Sequence, residues 1–257
     1  LFKYENRSSS FTIILQQVVC FRFKTSEKLT RRYPRFYHLR VSNQVKLMKQ
    51  GVLKVTEKQK PSAVLCVGGS PRAGGNSDIL IQHFLTGIRL GGSVAETVQL
   101  RDYNFQSCTG CEQCRKDKTC TGLSDDMGLI YPKFESAKSL VLVSPVHNYN
   151  ITAIMKAFID RLYCYYDFAA KRPGEWSTRL QGQGRKAVIA VVAEQKTFKD
   201  SGVDPALQAL RLPFEALGYE IVAELPVTGV FHKGRIRNYP EILEKARQIG
   251  IELTSSV

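Results

Sequence analysis

No stretch of the 257-residue chain is apolar for long enough to span a bilayer; the nearest approach, "FTIILQQVVCFRF" (11–23), is short and interrupted by Gln16 and Gln17. No small-residue cleavage site follows it, so a secretory leader is not expected. The seven cysteines are too few and too locally grouped for the disulfide framework of a chain this long, and a reducing cytoplasm is the expected location. Internal repeats and low-complexity tracts are missing, which argues against a repeat array. Neither G-x-x-x-x-G-K-[ST] nor G-x-G-x-x-G occurs in the glycine-rich stretch at 68–77, so it is neither a nucleotide P-loop nor a dinucleotide fingerprint.

What is present is an ordinary globular composition, 43% hydrophobic and 23% charged, with an uneven excess of base. Residues 1–47 hold ten Lys/Arg against Glu5 and Glu27, a net +8 of the chain's +14. "RRYPR" (31–35) interleaves basic and aromatic residues as some nucleic-acid arms do, but a solvated tail has the same composition, and nucleic acid is not expected as a partner. Met48, the first methionine, precedes the first well-patterned segment. The expected organisation is a basic extension at 1–47, poorly ordered or outside the native start, followed by one α/β domain at 48–257.

From residue 62 the pattern alternates. "SAVLCVGG" (62–69), "VAETVQL" (94–100), "SLVLVSP" (139–145), "KAVIAVVA" (186–193) and "YEIVAELPV" (219–227) read as strands, the first of them buried on both faces. Helices are expected at 76–92, at 125–137 with a break near Pro132, over 151–162 with Asn150 as its cap, at 204–217 and at 240–253. The third has the clearest stripe: Ile151, Ile154, Met155, Phe158, Ile159 and Leu162 share one face. Strands alternating with helices predict a doubly wound five-stranded parallel sheet with helices on both faces. Ligands then bind at the carboxyl ends of the strands, near the switch in strand order.

The loop after the first strand, "GGSPRAGGNS" (68–77), is built for an anion. Glycines let backbone approach closely, the following helix offers unpaired N–H groups, Ser70, Asn76 and Ser77 can donate, and Arg72 supplies a charged fork. A polar capping turn is the simpler alternative, although it has no need of Ser-Pro-Arg. The second feature is "SCTGCEQCRKDKTC" (107–120), which puts Cys108, Cys111, Cys114 and Cys120 at C-x2-C-x2-C-x5-C spacing. Zinc sites are usually built from two well-separated C-x2-C knuckles. Three thiols at three-residue steps resemble the run that wraps one cubane cluster in bacterial ferredoxins, and the longer last segment gives Cys120 slack to return to it. Zinc, free thiols and a redox disulfide stay open on spacing alone. Cys66 and Cys164 lie in apolar patterns and read as small buried residues.

These residues carry a family resemblance. "GGSPRAGGNS" resembles the phosphate loop of the NADPH-dependent FMN reductase family, "SPVHNYNITAIMKAFIDR" (144–161) is similar to its second flavin loop and the helix after it, and "CTGCEQCRKDKTC…DDM" resembles the iron–sulfur flavoprotein subgroup. The resemblance covers roughly residues 62–230. It implies a flavodoxin-like fold and FMN, with the phosphate on Ser70, Arg72, Asn76 and Ser77 and the ring against Pro145, Val146, His147, Asn148 and Asn150. His147 departs from the pattern, since Tyr or Trp is more usual there. The resemblance further implies a [4Fe–4S] cluster on Cys108, Cys111, Cys114 and Cys120, NAD(P)H as co-substrate, ferredoxin as a candidate redox partner, and a homodimer or homotetramer in which one subunit's cluster lies near another's flavin.

The expected function is electron transfer between NAD(P)H or ferredoxin and a small acceptor or partner protein, with the chemistry carried by the cofactors and no acid, base or nucleophile required of the side chains. Two alternatives remain: a plain FMN or quinone reductase without a cluster, and a non-catalytic module with a structural zinc knuckle. Glu194 and Gln195, after the fourth strand, stand where side chains could reach the flavin's pyrimidine edge, or where surface residues with no ligand would be. Trp176, in a loop before the fourth strand, reads as an ordinary half-buried anchor, with a flavin cover or a subunit contact as alternatives, and the aromatic "LYCYYDF" (162–168), beyond its helix, is suited to an oligomer interface.

Overall fold

The computed structural model of the protein describes residues 64–171, 173–198 and 202–255; the readings of residues 1–47 and of a start at Met48 lie outside them. Val64–Val67 are fully buried, and their alternate side chains enter two separate cores. That is the condition for a strand covered on both faces. This strand is β1 (Val64–Gly68), and four more lie parallel with it: β2 (Ala95–Gln99), β3 (Ser139–Pro145), β6 (Lys186–Val192) and β7 (Glu220–Val227). Their order is β2-β1-β3-β6-β7, the doubly wound order of a flavodoxin-like sheet. Direction of travel reverses at β1, so its carboxyl end and that of β3 flank the switch.

Leu65, Val67, Leu140, Leu142, Ile189 and Val191 point to one face of the sheet. There they meet α3 (Met127–Ser136), α4 (Ala153–Arg161) and α5 (Val203–Ala216) through Phe134, Phe158 and Leu210. Val64, Cys66, Val141, Val143, Val188 and Ala190 point the other way, onto α1 (Asn76–Leu90) and α6 (Pro240–Ser255). Cys66 and Cys164 are both buried, as their apolar surroundings predict, and burial pushes each thiol up to about 12. Among the described residues, no helix is long and apolar enough to cross a membrane.

Three local expectations are corrected. The helix expected to break near Pro132 runs unbroken as α3. Proline removes one backbone donor, but the buried face of Met127, Ile130, Tyr131 and Phe134 holds the helix together. The cap of α4 is Thr152 rather than Asn150: its Oγ1 accepts from Met155 N at 3.3 Å, while Asn150 Oδ1 accepts from Ile151 N, one residue too early. Trp176, expected in a loop, and the last three residues of the aromatic segment form a small antiparallel pair, β4 (Tyr166–Phe168) with β5 (Trp176–Thr178). Strands of three residues are too short to show a period, and cross-strand aromatic contact supplies the stability instead: Trp176 meets Tyr166 edge-on at 5.4 Å.

Thr152 also ties α4 to the ends of β1 and β3, because its hydroxyl donates to Gly69 O at 2.7 Å and its N–H donates to Ser144 Oγ at 3.2 Å. A side chain at Gly69 would collide with Met155 at 2.9 Å, so the backbone can only pass α4 this closely as glycine. Thr152→Ala removes the cap and the Gly69 link together. It should lower unfolding free energy by about 2 kcal/mol, read as a lower urea midpoint at unchanged slope; an unmoved midpoint would show that neither bond matters.

Candidate functional site

The turn from β1 into α1 is left open at the helix end. Gly75 is the N-cap and makes no side-chain capping bond, so the first N–H groups of α1 face the loop without one. Gly74 sits at φ +66° and donates its N–H to Asp78 Oδ2 at 2.7 Å. Arg101, just past β2, braces the loop from beneath: its fork donates to both Asp78 oxygens at 3.0 and 2.8 Å, and to Ser70 O at 3.1 Å. Ser70 is buried, and its Oγ accepts from Arg72 N at 3.2 Å. The loop is thereby fixed before any ligand arrives.

Above it lies a cleft of about 100 Å³. Seven residues named from sequence line it: Ser70, Arg72, Asn76, Ser77, Pro145, Val146 and His147. Glu194 lines it as well; Gln195 does not. Asn148 and Asn150 stand outside it. They belong to a tight turn in which His147 N donates to Asn150 O at 2.8 Å and Asn150 N donates back at 3.1 Å, with Asn148 and Tyr149 both left-handed at φ 46° and 65°. That turn presents His147, which is exposed, at the rim.

Sequence reasoning missed the fourth wall. Val230, Phe231 and Lys233, from the loop after β7, also line the cleft. Asn76 holds this loop down: its Nδ2 donates to His232 O at 3.0 Å, and its Oδ1 accepts from Ile236 N at 3.2 Å. Asn76 thus has its side chain committed to protein. The Arg72 guanidinium lies over the Phe231 ring, 5.2 Å from its centroid. The basic run "HKGR" at the carboxyl end of a fifth parallel strand was the available signal.

The four cysteines gather elsewhere. Cys108, Cys111, Cys114 and Cys120 line one cavity of about 30 Å³ together with Arg161 and Tyr163, and none of them lines the cleft. Three left-handed residues, Gly110, Glu112 and Lys118, fold the loop around it, and α2 (Cys114–Asp117) is a single turn within it. Gly110 N–H donates to Cys108 Sγ at 3.4 Å, and a Cβ at Gly122 would stand 2.4 Å from Cys111 Sγ. Burial pushes the Cys114 thiol above its ordinary value, and the fields of Cys120, Cys108 and Cys111 add to it. The loop leaves the carboxyl end of β2 as expected, yet its thiols lie at the Arg161 end of α4 and not beside the cleft, because β4 and β5 hold it there. Arg115 donates to Ala169 O at 2.8 Å, Lys118 pairs with Asp167, and Arg179 donates to Lys118 O at 2.8 Å.

Residues 62–211 match the NADPH-dependent FMN reductase family. The chain belongs to that family. Its members are flavin-dependent oxidoreductases, and this member is similar to two proteins named iron–sulfur flavoprotein. It is 33% identical over 98 residues to one from Methanocaldococcus jannaschii, covering 38% of this chain and 50% of the relative. It is 33% identical over 95 residues to one from Methanosarcina thermophila, covering 37% and 49%. The chain therefore spans about half the length of the curated relatives it matches. Among solved structures, the NAD(P)H:quinone oxidoreductase from Methanothermobacter marburgensis superposes with a TM-score of 0.56 at 20% identity, over 75% of this chain and 98% of that one. An FMN-dependent NADH-azoreductase from Bacillus anthracis, solved in complex with FMN, gives 0.54 at 20% identity, over 75% and 97%. Both share the family's fold.

In this member of the family, the loops after β1, β3, β6 and β7 close around one cleft, at the switch point where such sheets bind ligands. The four cysteines of the second cavity lie between β2 and α3.

Proposed function

We propose that this protein is an FMN-dependent oxidoreductase of the iron–sulfur flavoprotein type, passing electrons between NAD(P)H or reduced ferredoxin and a small acceptor or partner protein. The observation that carries the reading is the pairing, in one family member, of the open α1 anion cleft with four thiols around a single cavity. The phosphate of FMN would be held by Ser77, Arg72, Lys233 and the first N–H groups of α1, with Ser70 shaping the loop. Pro145, Val146 and His147 would flank the ring, while Asn76, Asn148 and Asn150 would shape the site: the first fixes the 231–236 loop through its side-chain amide, and the other two form the turn that carries His147.

Cys108, Cys111, Cys114 and Cys120 would hold the [4Fe–4S] cluster. Three features support the fit. The donor set is four thiols. A backbone N–H already points at one sulfur. The buried guanidinium of Arg161 lines the same cavity with its Nε unpartnered. Bound there, FMN and the cluster supply two-electron and one-electron chemistry; the side chains orient the cofactors, exclude water and set the local charge. Helix α4 links the sites, with its cap on Gly69 behind the cleft and its last residue, Arg161, at the thiols. At nine residues it is roughly 13 Å long. A homo-oligomer belongs to the same reading, through the partly open aromatic face of Tyr163, Tyr166, Phe168 and Trp176, the last 54% exposed.

A plain flavin reductase is the second reading. It is favoured by one observation: among the described residues, no three His, Cys, Asp or Glu side chains are gathered to hold a single metal ion. Anaerobic purification separates the two. The proposed protein should be brown, release FMN on denaturation, carry iron and sulfide, and elute above the monomer mass by light scattering. A yellow protein with FMN and no iron supports the plain reductase, and a colourless protein with stoichiometric zinc overturns both.

A further inference from the structure

Arg161 is the last residue of α4, and its side chain is only 1% exposed. A guanidinium this deep needs compensation, since desolvating a charge is costly. Part of it is visible. Asp125 accepts from both terminal nitrogens, at 2.6 and 3.1 Å, and Gln106 O accepts at 2.9 Å. The Nε–H has no hydrogen-bond partner and no contact with solvent. Tyr131 also faces the guanidinium: its hydroxyl donates to Arg161 O at 3.0 Å and keeps its lone pairs toward the side chain, yet no bond to Nε is made. Buried polar groups are nearly always paired, so an orphaned donor on a buried cation calls for an acceptor.

The cavity that Arg161 lines is the one ringed by Cys108, Cys111, Cys114 and Cys120. None of Arg115, Lys116, Lys118 and Arg179 lines that cavity; Arg115 is engaged with Ala169 O and the Phe168 ring, Lys118 with Asp167, and Arg179 with Lys118 O. Asp125 does not depend on the arginine alone, because it also accepts from Gln106 N and Met127 N, both at 3.1 Å. Burial works against the Arg161 cation, but the Asp125 hydrogen bond, the fields of Tyr131 and Cys120, and hydrogen bonding with Tyr131 outweigh it, and the side chain stays charged. A cubane core ligated by four thiolates carries net negative charge and accepts hydrogen bonds at sulfur, and those bonds with the local charge help set its potential.

We propose that Arg161 is the internal counter-cation of the cysteine site, giving its Nε–H to a sulfur of the cluster bound there. This rests on the cluster reading above and adds a role for one residue: Arg161 is a positioning and tuning residue that favours the reduced, more negative state. A sequence signal existed. Arg161 falls three residues after Phe158 and seven after Ile154, on the flank of the apolar stripe of α4, where a charge needs a reason.

The test uses the anaerobically purified, full-length holoprotein. Arg161→Lys keeps the cation and its reach toward Asp125 but lacks Nε–H; Arg161→Gln combined with Asp125→Asn removes both charges together, so neither is left buried alone. Iron, sulfide and FMN are counted, thermal unfolding is recorded, and the cluster's reduced fraction is followed against applied potential. In Arg161→Lys, FMN and unfolding should match the wild type, while the reduced-to-oxidised ratio at the wild-type midpoint falls about tenfold, equivalent to about 59 mV for a one-electron couple. The double variant should shift further or lose iron while keeping FMN. Unchanged midpoints in both iron-loaded variants overturn the inference. So does loss of FMN and cooperative unfolding together with iron, which would mark Arg161 as purely structural. A wild-type protein without iron overturns the cluster reading itself, and this inference with it.

Discussion

Cys114→Ser should take bound iron from about four per chain to none while leaving FMN in place. Cys114 opens the one-turn helix α2, is half-buried as Cys120 is, and receives the fields of the other three thiols. Serine preserves its size but offers a hydroxyl with far higher proton affinity, so it cannot replace a thiolate ligand. The flavin should stay because the two sites share no lining residue: the cleft is built by the loops after β1, β3, β6 and β7, and Arg101 with Asp78 holds the first of these independently. Iron and sulfide analysis, with absorption spectra of both proteins, is the measurement. Full iron in the variant would remove Cys114 from the ligand set, and simultaneous loss of FMN would show that the cysteine loop supports the whole fold.

Arg72→Ala should weaken FMN binding by roughly 10- to 150-fold, the scale of about 1.5–3 kcal/mol for a charge-assisted hydrogen bond. Arg72 is exposed in this structure and rests over the Phe231 ring, so it is placed at the mouth of the cleft and free to close on a phosphate. Lys233, on the opposite wall, should contribute on the same scale. The two walls are joined through the Asn76 amide, so their effects should not be independent, and Arg72→Ala with Lys233→Ala should cost less than the sum. Fluorescence titration of apoprotein with FMN gives each dissociation constant. An unchanged value in Arg72→Ala would take that residue out of the site, and strict additivity would separate the two walls.

The α/β order was legible because it is written in local periodicity. Four consecutive apolar residues at 64–67 cannot hide on one face of a strand, and helices must cover both sides. The glycine-rich anion loop was legible for a similar reason: glycine, serine and arginine at the start of a helix have a meaning that needs no distant partner. The turn at 147–150 was harder. Its motif marked a ligand loop, but only the pair of opposed backbone bonds shows that Asn148 and Asn150 shape the turn while His147 stands at the cleft.

Pro132 and Thr152 mark where local rules gave way. A proline inside α3 and a cap displaced by two residues are both settled by side chains buried against the sheet, whose packing outweighs the preference of a single position. By itself the sequence determined the strand order's class, the anion loop and the grouping of four thiols, since each depends on residues within a few positions of one another. Tertiary structure alone decided that Lys233 and Phe231 face Arg72, that Asn76 binds the 231–236 loop, and that Arg161 lies buried among the cysteines. Those pairings join residues tens to more than a hundred positions apart. They follow from which strand ends and helix ends the folded sheet brings together, and local periodicity carries no record of that.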